Sequence, residues 1–270
     1  MRRAAAAAKI NLALVVGPRR ADGLHDVVTV YQRVALADRI SITRSPQLEV
    51  DGFAGDTLVR HALERVSDGD RASFAARIEK RIPVAAGLGG GSSDAATALR
   101  LANELRDDPH PPEVLRAYAR ELGADVPFFL ADGPQLGSGD GSVLAPIELP
   151  QDYWILLVLP RDARKRSTKD VYDAFEARDG GRGFEERREA LVNLVDSLRR
   201  PRDLAALPPN DLVSSPIAAD LGALGAFRAD VTGAGPAVYG LFLHGAQARE
   251  ARKHMTSFGR TWLTAPAWYR

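Results

Sequence analysis

A glycine-rich segment at residues 83–94, PVAAGLGGGSSD, has the residue types that could bind phosphate. Its four glycines carry no Cβ, so backbone N–H groups there can approach a ligand closely. Ser92, Ser93 and Asp94 favour a helix N-terminus, and apolar residues at helical spacing follow from Ala95. The first N–H groups of a helix have no intrahelical partner, and the helix dipole favours anions there. We therefore interpret the segment as a phosphate cradle that leads into a helix.

The segment differs from the two commonest phosphate-binding motifs. No Lys-Ser or Lys-Thr pair ends it, which argues against a Walker A loop. The third glycine of a Gly-x-Gly-x-x-Gly fingerprint is replaced by Ser92 or Asp94, depending on register, which argues against a dinucleotide-binding site. A flexible turn followed by an ordinary helix cap is the alternative interpretation.

The composition is that of a globular protein without a strong electrostatic preference for a partner. The 270 residues include 36 basic and 35 acidic side chains and 45% apolar residues, and the formal net charge is +1. We therefore expect neither nucleic acid nor membrane as a partner. Cysteine is absent, which excludes disulfides, thiolate metal sites and cysteine nucleophiles. The N-terminal alanine run is interrupted by Lys9 and Asn11, so we expect a cytoplasmic protein without a signal peptide.

The elements that must position the glycine-rich segment follow an α+β order. Alternation or β-branched content predicts strands near residues 4–16, 27–36, 39–43, 48–50, 72–82, 154–160 and 237–243, with a last one ending near Trp268. Helical spacing predicts helices near residues 56–66, 95–105, 112–122, 168–177, 185–198 and 247–258. This is not a regular βαβ alternation. A domain boundary is expected near residues 149–154, and a second glycine loop occupies residues 230–236.

Three further side chains could do chemistry, and each also has an ordinary structural interpretation. Lys9 lies in an apolar context, where it could be held at a site or extend to the surface. Asp125 precedes Val126 and Pro127, so it could cap the next helix or accept a proton in a partly apolar pocket. His25 follows a turn, where a single histidine is usually exposed. The histidines show no metal-ligand spacing, so no protein-held metal is expected.

Taken together, these motifs resemble the GHMP kinase superfamily. Its non-Walker loop, Pro-x-x-x-Gly-Leu-Gly-x-x-Ser-Ser, matches residues 83–93, and its late glycine loop matches residues 232–236. Three more stretches resemble the members of that superfamily that phosphorylate a cytidine diphosphate conjugate in isoprenoid precursor synthesis. They are AKINL at 8–12, RADGLH at 20–25 and LGADVPFF at 122–129. The matches run from residue 8 to about 240, so the resemblance covers nearly the whole chain.

The resemblance implies a fold and a set of ligands. It implies a two-domain α+β fold with a ribosomal-protein-S5-like domain 2 fold at residues 1–150 and a ferredoxin-like α/β domain at residues 151–270. It implies ATP as co-substrate, Mg²⁺ on the phosphates, and a monomer or homodimer. The implied ATP-binding residues are Pro83, Val84, Ala85, Ala86, Gly87, Leu88, Gly89, Gly90, Gly91, Ser92 and Ser93.

The resemblance also implies roles for the remaining side chains. Asp125 would accept the proton of the substrate hydroxyl, and Lys9 would lie beside it and favour the developing charge. The implied substrate-binding residues, with His25 at the cytosine edge and Tyr172 stacking on the base, are Asn11, Leu24, His25, Thr168 and Tyr172.

Leu24 is a departure from the family pattern, which usually has tyrosine at that position. An aliphatic side chain packs on a base but gives up ring stacking, which is worth on the order of 1–3 kcal/mol per base. Two alternatives to the cytidine conjugate therefore remain: a related kinase for a different small alcohol, and a non-catalytic nucleotide-binding relative.

Overall fold

The computed structural model describes residues 1–55, 57–67, 73–162 and 167–267. The strands in chain order are β1 Arg2–Arg19, β2 His25–Ser45, β3 Glu49–Asp51, β4 Ser73–Glu79, β5 Gln135–Ser138, β6 Val143–Pro146, β7 Trp154–Pro160, β8 Arg228–Val231, β9 Val238–Phe242 and β10 Gly259–Thr264. The helices are α1 Leu58–Ser67, α2 Gly90–Asn103, α3 Pro112–Leu122, α4 Thr168–Glu176, α5 Phe184–Val195, α6 Pro216–Ala223 and α7 Gly245–Met255. Short 3-10 helices span Pro127–Leu130 and Pro201–Ala206.

Two long strands carry the N-terminal part of the chain. β1 has 18 residues and β2 has 21, and the two strands pair with each other. We predicted separate strands at 27–36 and 39–43, but β2 is continuous through both, because neither glycine nor proline interrupts it. β1 continues through Gly17 and Pro18 beyond its predicted end at residue 16, so only residues 20–24 connect it to β2.

The chain forms two compact units, and the first comprises Met1–Ala8, Leu36–Val84 and Gly89–Asp132. In this unit β4 runs antiparallel to the C-terminal half of β2, from Arg39 opposite Glu79 to Ser45 opposite Ser73, and β3 lies parallel to β4. The three helices α1, α2 and α3 pack against one another. Their core is fully buried and apolar, with Ile40, Leu63 and Leu99 at 0% exposure.

The second unit comprises Lys9–Ala35, Ala85–Leu88 and Gly133–Arg270. Here β5 pairs antiparallel with the N-terminal half of β2, and β5 and β6 form an antiparallel hairpin whose turn includes Gly139 and Gly141. A four-stranded antiparallel sheet has the order β10-β7-β9-β8. Its buried apolar residues pack against α6 and α7, because Leu156, Val238 and Leu221 share one core.

Several element boundaries differ from the sequence prediction. α5 ends at Val195, three residues before the predicted end, and α7 spans 245–255 instead of 247–258. α6 was not predicted, although Ser215 caps it and Pro216 begins it, which is a known start signal. Trp268, where the last strand was expected to end, lies outside the described residues, as do Asp56 and Ala72, the expected first residues of a helix and a strand. Residues 163–166, in a stretch from 161 to 169 that holds five basic side chains, also lie outside them.

The division into domains at residues 1–150 and 151–270 stays a prediction. Each compact unit is assembled from three separate segments of the chain. A division of the chain at one position, such as residue 150, therefore does not reproduce either unit. Among the helices of the described residues, none has both the length and the hydrophobicity needed to cross a bilayer.

The buried face of α1 gives a test of the first unit's core. Replacing the fully buried Leu63 with alanine should lower the free energy of unfolding by about 2–5 kcal/mol, because it leaves a cavity in the core. The neighbouring exposed Glu64 provides a matched control, and its change to alanine should stay within about 0.5 kcal/mol of the unmodified protein. Equal effects of the two substitutions in urea unfolding would contradict the described packing.

Candidate active site

The glycine loop, residues 83–93, leads into α2 earlier than the sequence suggested. The N-cap of α2 is Gly89 with φ of 68°, and the helix begins at Gly90. Ser92, Ser93 and Asp94 therefore lie within the first turns of α2, and the prediction that they cap it is wrong. The reason is that glycine at position 89 adopts the left-handed conformation that ends the loop without a side-chain cap.

The backbone of the loop alternates in sign. Ala85, Gly87 and Gly89 have positive φ values of 55°, 80° and 68°, and the residues between them do not. Such alternation turns successive N–H groups toward the same side, which creates an anion-binding nest. The nest ends directly at the N-terminus of α2, where the helix dipole adds to it. The cradle geometry predicted from the glycines is present in the backbone, including a strained non-glycine residue, Ala85.

Gly87 is held by the second glycine loop, residues 230–236. Its backbone is so close to Thr232 that a Cβ at position 87 would overlap the Thr232 carbonyl oxygen. The Thr232 hydroxyl lies 3.2 Å from the Gly87 carbonyl oxygen and donates to it. One residue earlier, Ala237 N–H donates to the Ala86 carbonyl oxygen at 3.1 Å. The middle of the glycine loop is therefore fixed by main-chain contacts within the second unit.

Lys9 is buried beside the same loop and does not extend to the surface. It is 3% exposed, and its backbone N–H donates to the Leu88 carbonyl oxygen at 2.9 Å. Its ammonium donates to Asn11 Oδ1 at 2.7 Å and lies 5.5 Å from the centre of the Tyr31 ring. The structure thus brings Lys9 and the Leu88 backbone together.

Asn11 connects Lys9 to the second glycine loop. Its side chain donates to Thr29 Oγ1 at 2.7 Å, which leaves Oδ1 to accept from Lys9. Its backbone N–H donates to the Thr232 hydroxyl at 3.1 Å. Thr29 and Thr232 are buried contributors that the sequence analysis did not single out as side chains, because a lone threonine in a strand or loop carries no distinctive signal.

Asp125 is half-buried in the first unit and does not cap a helix. The 3-10 helix that follows begins at Pro127 with Val126 at its N-cap, and no side chain bonds to that cap. The capping alternative considered for Asp125 is therefore wrong. Lys9 belongs to the second unit, so the convergence of Lys9 and Asp125 stays a prediction.

A buried cluster of two carboxyl groups and one ammonium lies at the ends of the glycine loop. Lys80 donates to Asp38 at 2.5 Å and to Asp94 at 2.7 Å, and the side chains of Asp38 and Asp94 are fully buried. Asp38 also accepts the backbone N–H groups of Arg81 and Ile82. We name this the Asp38–Lys80–Asp94 cluster. Sequence reasoning missed it, because only the pairing of β2 with β4 brings residue 38 next to residue 80.

In the Asp38–Lys80–Asp94 cluster, the carboxyl group of Asp94 keeps its proton near neutral pH. Burial raises the pKa of Asp94 to about 8, against the opposite effect of Lys80, and the nearby Asp38 raises it further. Burial by itself lowers the pKa of Lys80, but the two neighbouring carboxyl groups outweigh it and the net shift is upward. With Asp94 neutral, the charge of Lys80 is balanced by that of Asp38. The buried cluster then carries less net charge than it would with both carboxyl groups ionised.

His25 is buried, although a histidine after a turn is usually exposed. It is 7% exposed, and its Nδ1 lies 2.9 Å from the Gly17 carbonyl oxygen. Because a carbonyl only accepts, Nδ1 carries a proton. The other ring nitrogen, Nε2, lies 3.1 Å from a carboxylate oxygen of Glu176. The Gly17 carbonyl oxygen therefore orients the ring, whereas Nε2 makes no hydrogen bond to any described residue.

Tyr172 lies against His25, while Leu24 and Thr168 are more exposed. The centres of the Tyr172 and His25 rings are 4.8 Å apart, with the planes tilted by 37°. Leu24 is 50% exposed, and Thr168 is the exposed first residue of α4, directly after the Ser167 cap. The structure therefore brings His25 and Tyr172 together.

Glu176 is a site residue that the sequence analysis missed. It lines a cleft of about 370 Å³ together with His25, Arg19 and Phe175. A signal was available, since Tyr172 and Glu176 are four residues apart on a predicted helix and such residues share a face.

Within residues 1–55, 57–67, 73–162 and 167–267, no group of three or more His, Cys, Asp or Glu side chains is arranged to hold a metal ion. Asp94, at the start of α2, is already bound to Lys80 and fully buried, which makes it a poor metal ligand in this arrangement.

Comparison with known proteins links this geometry to a family. The family model described as GHMP kinases N terminal domain matches residues 57–133, which include most of the first unit's helices and the glycine loop.

Curated relatives match over nearly the whole chain. The 4-diphosphocytidyl-2-C-methyl-D-erythritol kinase of Desulfitobacterium hafniense strain Y51 is 36% identical over 260 residues, covering 90% of this chain and 88% of that one. The kinase of the same name from Pelobacter propionicus is 36% identical over 283 residues, covering 97% and 96%.

Solved structures also match over nearly the whole chain. A 4-(cytidine 5'-diphospho)-2C-methyl-D-erythritol kinase superposes with a TM-score of 0.80 at 31% identity, covering 98% of this chain and 100% of that one. The mevalonate kinase of Methanococcus jannaschii superposes with a TM-score of 0.78 at 13% identity and 98% coverage of both, which shows a shared fold. The mixed helices and sheets described above are thus those of the α+β GHMP kinase fold.

The close approach at Gly87 gives a test of the site geometry. Changing Gly87 to alanine should lower the free energy of unfolding by about 1–3 kcal/mol, because φ is positive and the new Cβ meets backbone that cannot retract. Gly222 in α6 has open space around it, so the same change there should be neutral or stabilise by up to about 1 kcal/mol. Denaturant unfolding of both variants measures this, and a neutral Gly87 variant would contradict the described contact.

Proposed function

The chain belongs to the family of 4-diphosphocytidyl-2-C-methyl-D-erythritol kinases, and on that premise we propose that it transfers the γ-phosphoryl group of ATP to the 2-hydroxyl of 4-diphosphocytidyl-2-C-methyl-D-erythritol. Such an enzyme is a phosphotransferase with an alcohol acceptor and acts in the non-mevalonate route to isoprenoid precursors. The single observation that carries the proposal is the nest at residues 85–89 followed by the N-terminus of α2, because it supplies N–H groups for phosphate oxygens.

The phosphates of ATP would lie on the glycine loop, residues 83–93. The loop offers backbone donors and is fixed at Gly87 before any ligand arrives, so little order has to be gained on binding. A Mg²⁺ ion would be held mainly by the phosphate oxygens of ATP. Its positive charge would offset the charge on the transferred group.

The proton of the attacking hydroxyl would pass to Asp125. Asp125 is a half-buried carboxylate, a group that can accept a proton in such a role. Lys9 would lie near the transferred phosphoryl group, and its ammonium is already oriented by Asn11 and held against Tyr31. A fixed positive charge of this kind stabilises negative charge that develops in the transition state.

The cytosine would be recognised around His25. The buried imidazole has its Nδ1 fixed by the Gly17 carbonyl oxygen, which fixes how Nε2 would meet an edge of the base, and Tyr172 offers an aromatic surface beside it. Leu24 would cover the opposite face of the base, and Asn11 and Thr168 would contact other parts of the substrate. We propose that the protein acts in the cytoplasm, as a monomer or homodimer.

The role of Asp125 is tested by an isosteric substitution. Asp125→Asn should reduce kcat by about 10²–10⁴-fold, because it removes the proton acceptor, while binding of ATP stays unchanged. The exposed Asp108 gives a matched control, and Asp108→Asn should leave kcat unaffected. ADP release with Mg-ATP and the cytidine conjugate measures the rate. Normal turnover by the Asp125→Asn variant would show that another group accepts the proton.

Leu24 allows a test of the base pocket. Leu24→Tyr should tighten binding of the cytidine conjugate by about fivefold or more, because it restores ring stacking on an exposed surface. Val143→Tyr adds the same ring at another exposed apolar position and should have no effect. Calorimetric titration of both variants gives the comparison. Unchanged affinity in the Leu24→Tyr variant, with faster ADP release on a different alcohol from a substrate panel, would contradict the proposed substrate.

A further inference from the structure

The Asp38–Lys80–Asp94 cluster connects the two ends of the glycine loop within the first unit. Lys80 is the first residue after the end of β4, and Asp94 lies in the second turn of α2. The hydrogen bond of 2.7 Å from Lys80 to Asp94 joins the chain just before the loop to the chain just after it. Asp38 anchors the chain just before the loop, because it binds Lys80 and also accepts the backbone N–H groups of Arg81 and Ile82.

The loop ends also touch each other directly. A Cβ at Gly90 would lie 3.0 Å from Ile82 Cγ2 and 3.4 Å from Lys80 Nζ, so the start of α2 packs against the residues that precede the loop. Ile82 is 2% exposed. The start of α2 and the residues before the loop are thus close neighbours, and a displacement of Lys80 or Asp94 would change the separation of the loop ends.

None of the roles proposed above uses this cluster. Asp38 and Asp94 are at 0% exposure, and Lys80 lies over the ring of Phe53 at 5.8 Å. Burying two carboxyl groups is unfavourable unless partners compensate, and no described residue forms a hydrogen bond with one of the Asp94 oxygens. A hydrophobic core in the same place would give stability without this cost, which points to a need for directional bonds at this position.

We propose that Asp94 is a positioning residue that, through Lys80 and Asp38, holds the ends of the glycine loop at the separation its phosphate-binding backbone requires. This inference rests on the proposed function in one respect, that the loop binds the phosphates of ATP. Its effect is preorganisation: the nest is kept formed in the free protein, so nucleotide binding does not have to order it.

Substitutions at Asp94 separate positioning from general stability. Asp94→Ala removes the link to Lys80, so affinity for a non-hydrolysable ATP analogue should fall by about tenfold or more, with KM for ATP rising and kcat changing much less. Amide hydrogen exchange of residues 83–92 in the free protein should become faster in the same variant.

Two further variants complete the comparison. Asp94→Asn keeps the shape and resembles the neutral carboxyl group, so it should restore affinity and exchange to near those of the unmodified protein. Asn103 is a matched control, since it is buried at the other end of α2 and binds both the N–H and the carbonyl oxygen of His110. Asn103→Ala should lower the unfolding midpoint without changing nucleotide affinity or exchange in the loop. If Asp94→Ala does not fold, Asp94→Ser takes its place, because the shorter side chain cannot reach Lys80.

The outcomes distinguish this inference from the proposed function. Weaker nucleotide binding and faster loop exchange in Asp94→Ala, with recovery in Asp94→Asn and no change in Asn103→Ala, would support positioning. Unchanged loop exchange in Asp94→Ala, or an equal change in Asn103→Ala, would overturn it. If the unmodified protein binds no ATP analogue, the proposed function fails, and the exchange measurement still decides whether Asp94 holds the loop.

Discussion

The contact between Gly87 and Thr232 is the constraint on which the second unit's part of the site depends. Two main-chain segments that are 145 residues apart meet there at a distance that excludes any side chain larger than hydrogen. The same threonine hydroxyl accepts from Asn11, which in turn orients the ammonium of Lys9. One close approach therefore fixes the loop backbone, the amide and the cation together, and the positive φ of Gly87 makes glycine the residue that fits.

Predictions from the sequence came closest to the structure for glycine conformations and for the apolar spacing of helices. The glycine content of residues 87–91 indicated a backbone free of Cβ restrictions, and Gly87 and Gly89 do adopt positive φ; that this backbone binds a ligand stays a prediction. Apolar spacing also located α1, α3 and α7 to within a few residues. The helix start was misplaced because serine and aspartate are frequent caps, whereas here the left-handed conformation of Gly89 ends the loop instead.

The remaining features depend on contacts between residues far apart in sequence. The burial of Lys9 follows from its bonds to Leu88 and Asn11, and only the latter is near in sequence. The Asp38–Lys80–Asp94 cluster depends on the register of β2 against β4, which a sequence pattern does not specify. Glu176 is a different case, since its spacing from Tyr172 would have placed the two on one helix face.

The path of the chain also limits how this protein can be divided or rearranged. β1 and β2 each contribute residues to both compact units, and the four residues Ala85–Leu88 belong to the second unit although the chain on either side belongs to the first. A gene fragment that encodes only residues after about 150 would lack Lys9–Ala35 and Ala85–Leu88. Neither unit can therefore be obtained by truncation alone, and a separate version of either would need its segments rejoined by new linkers.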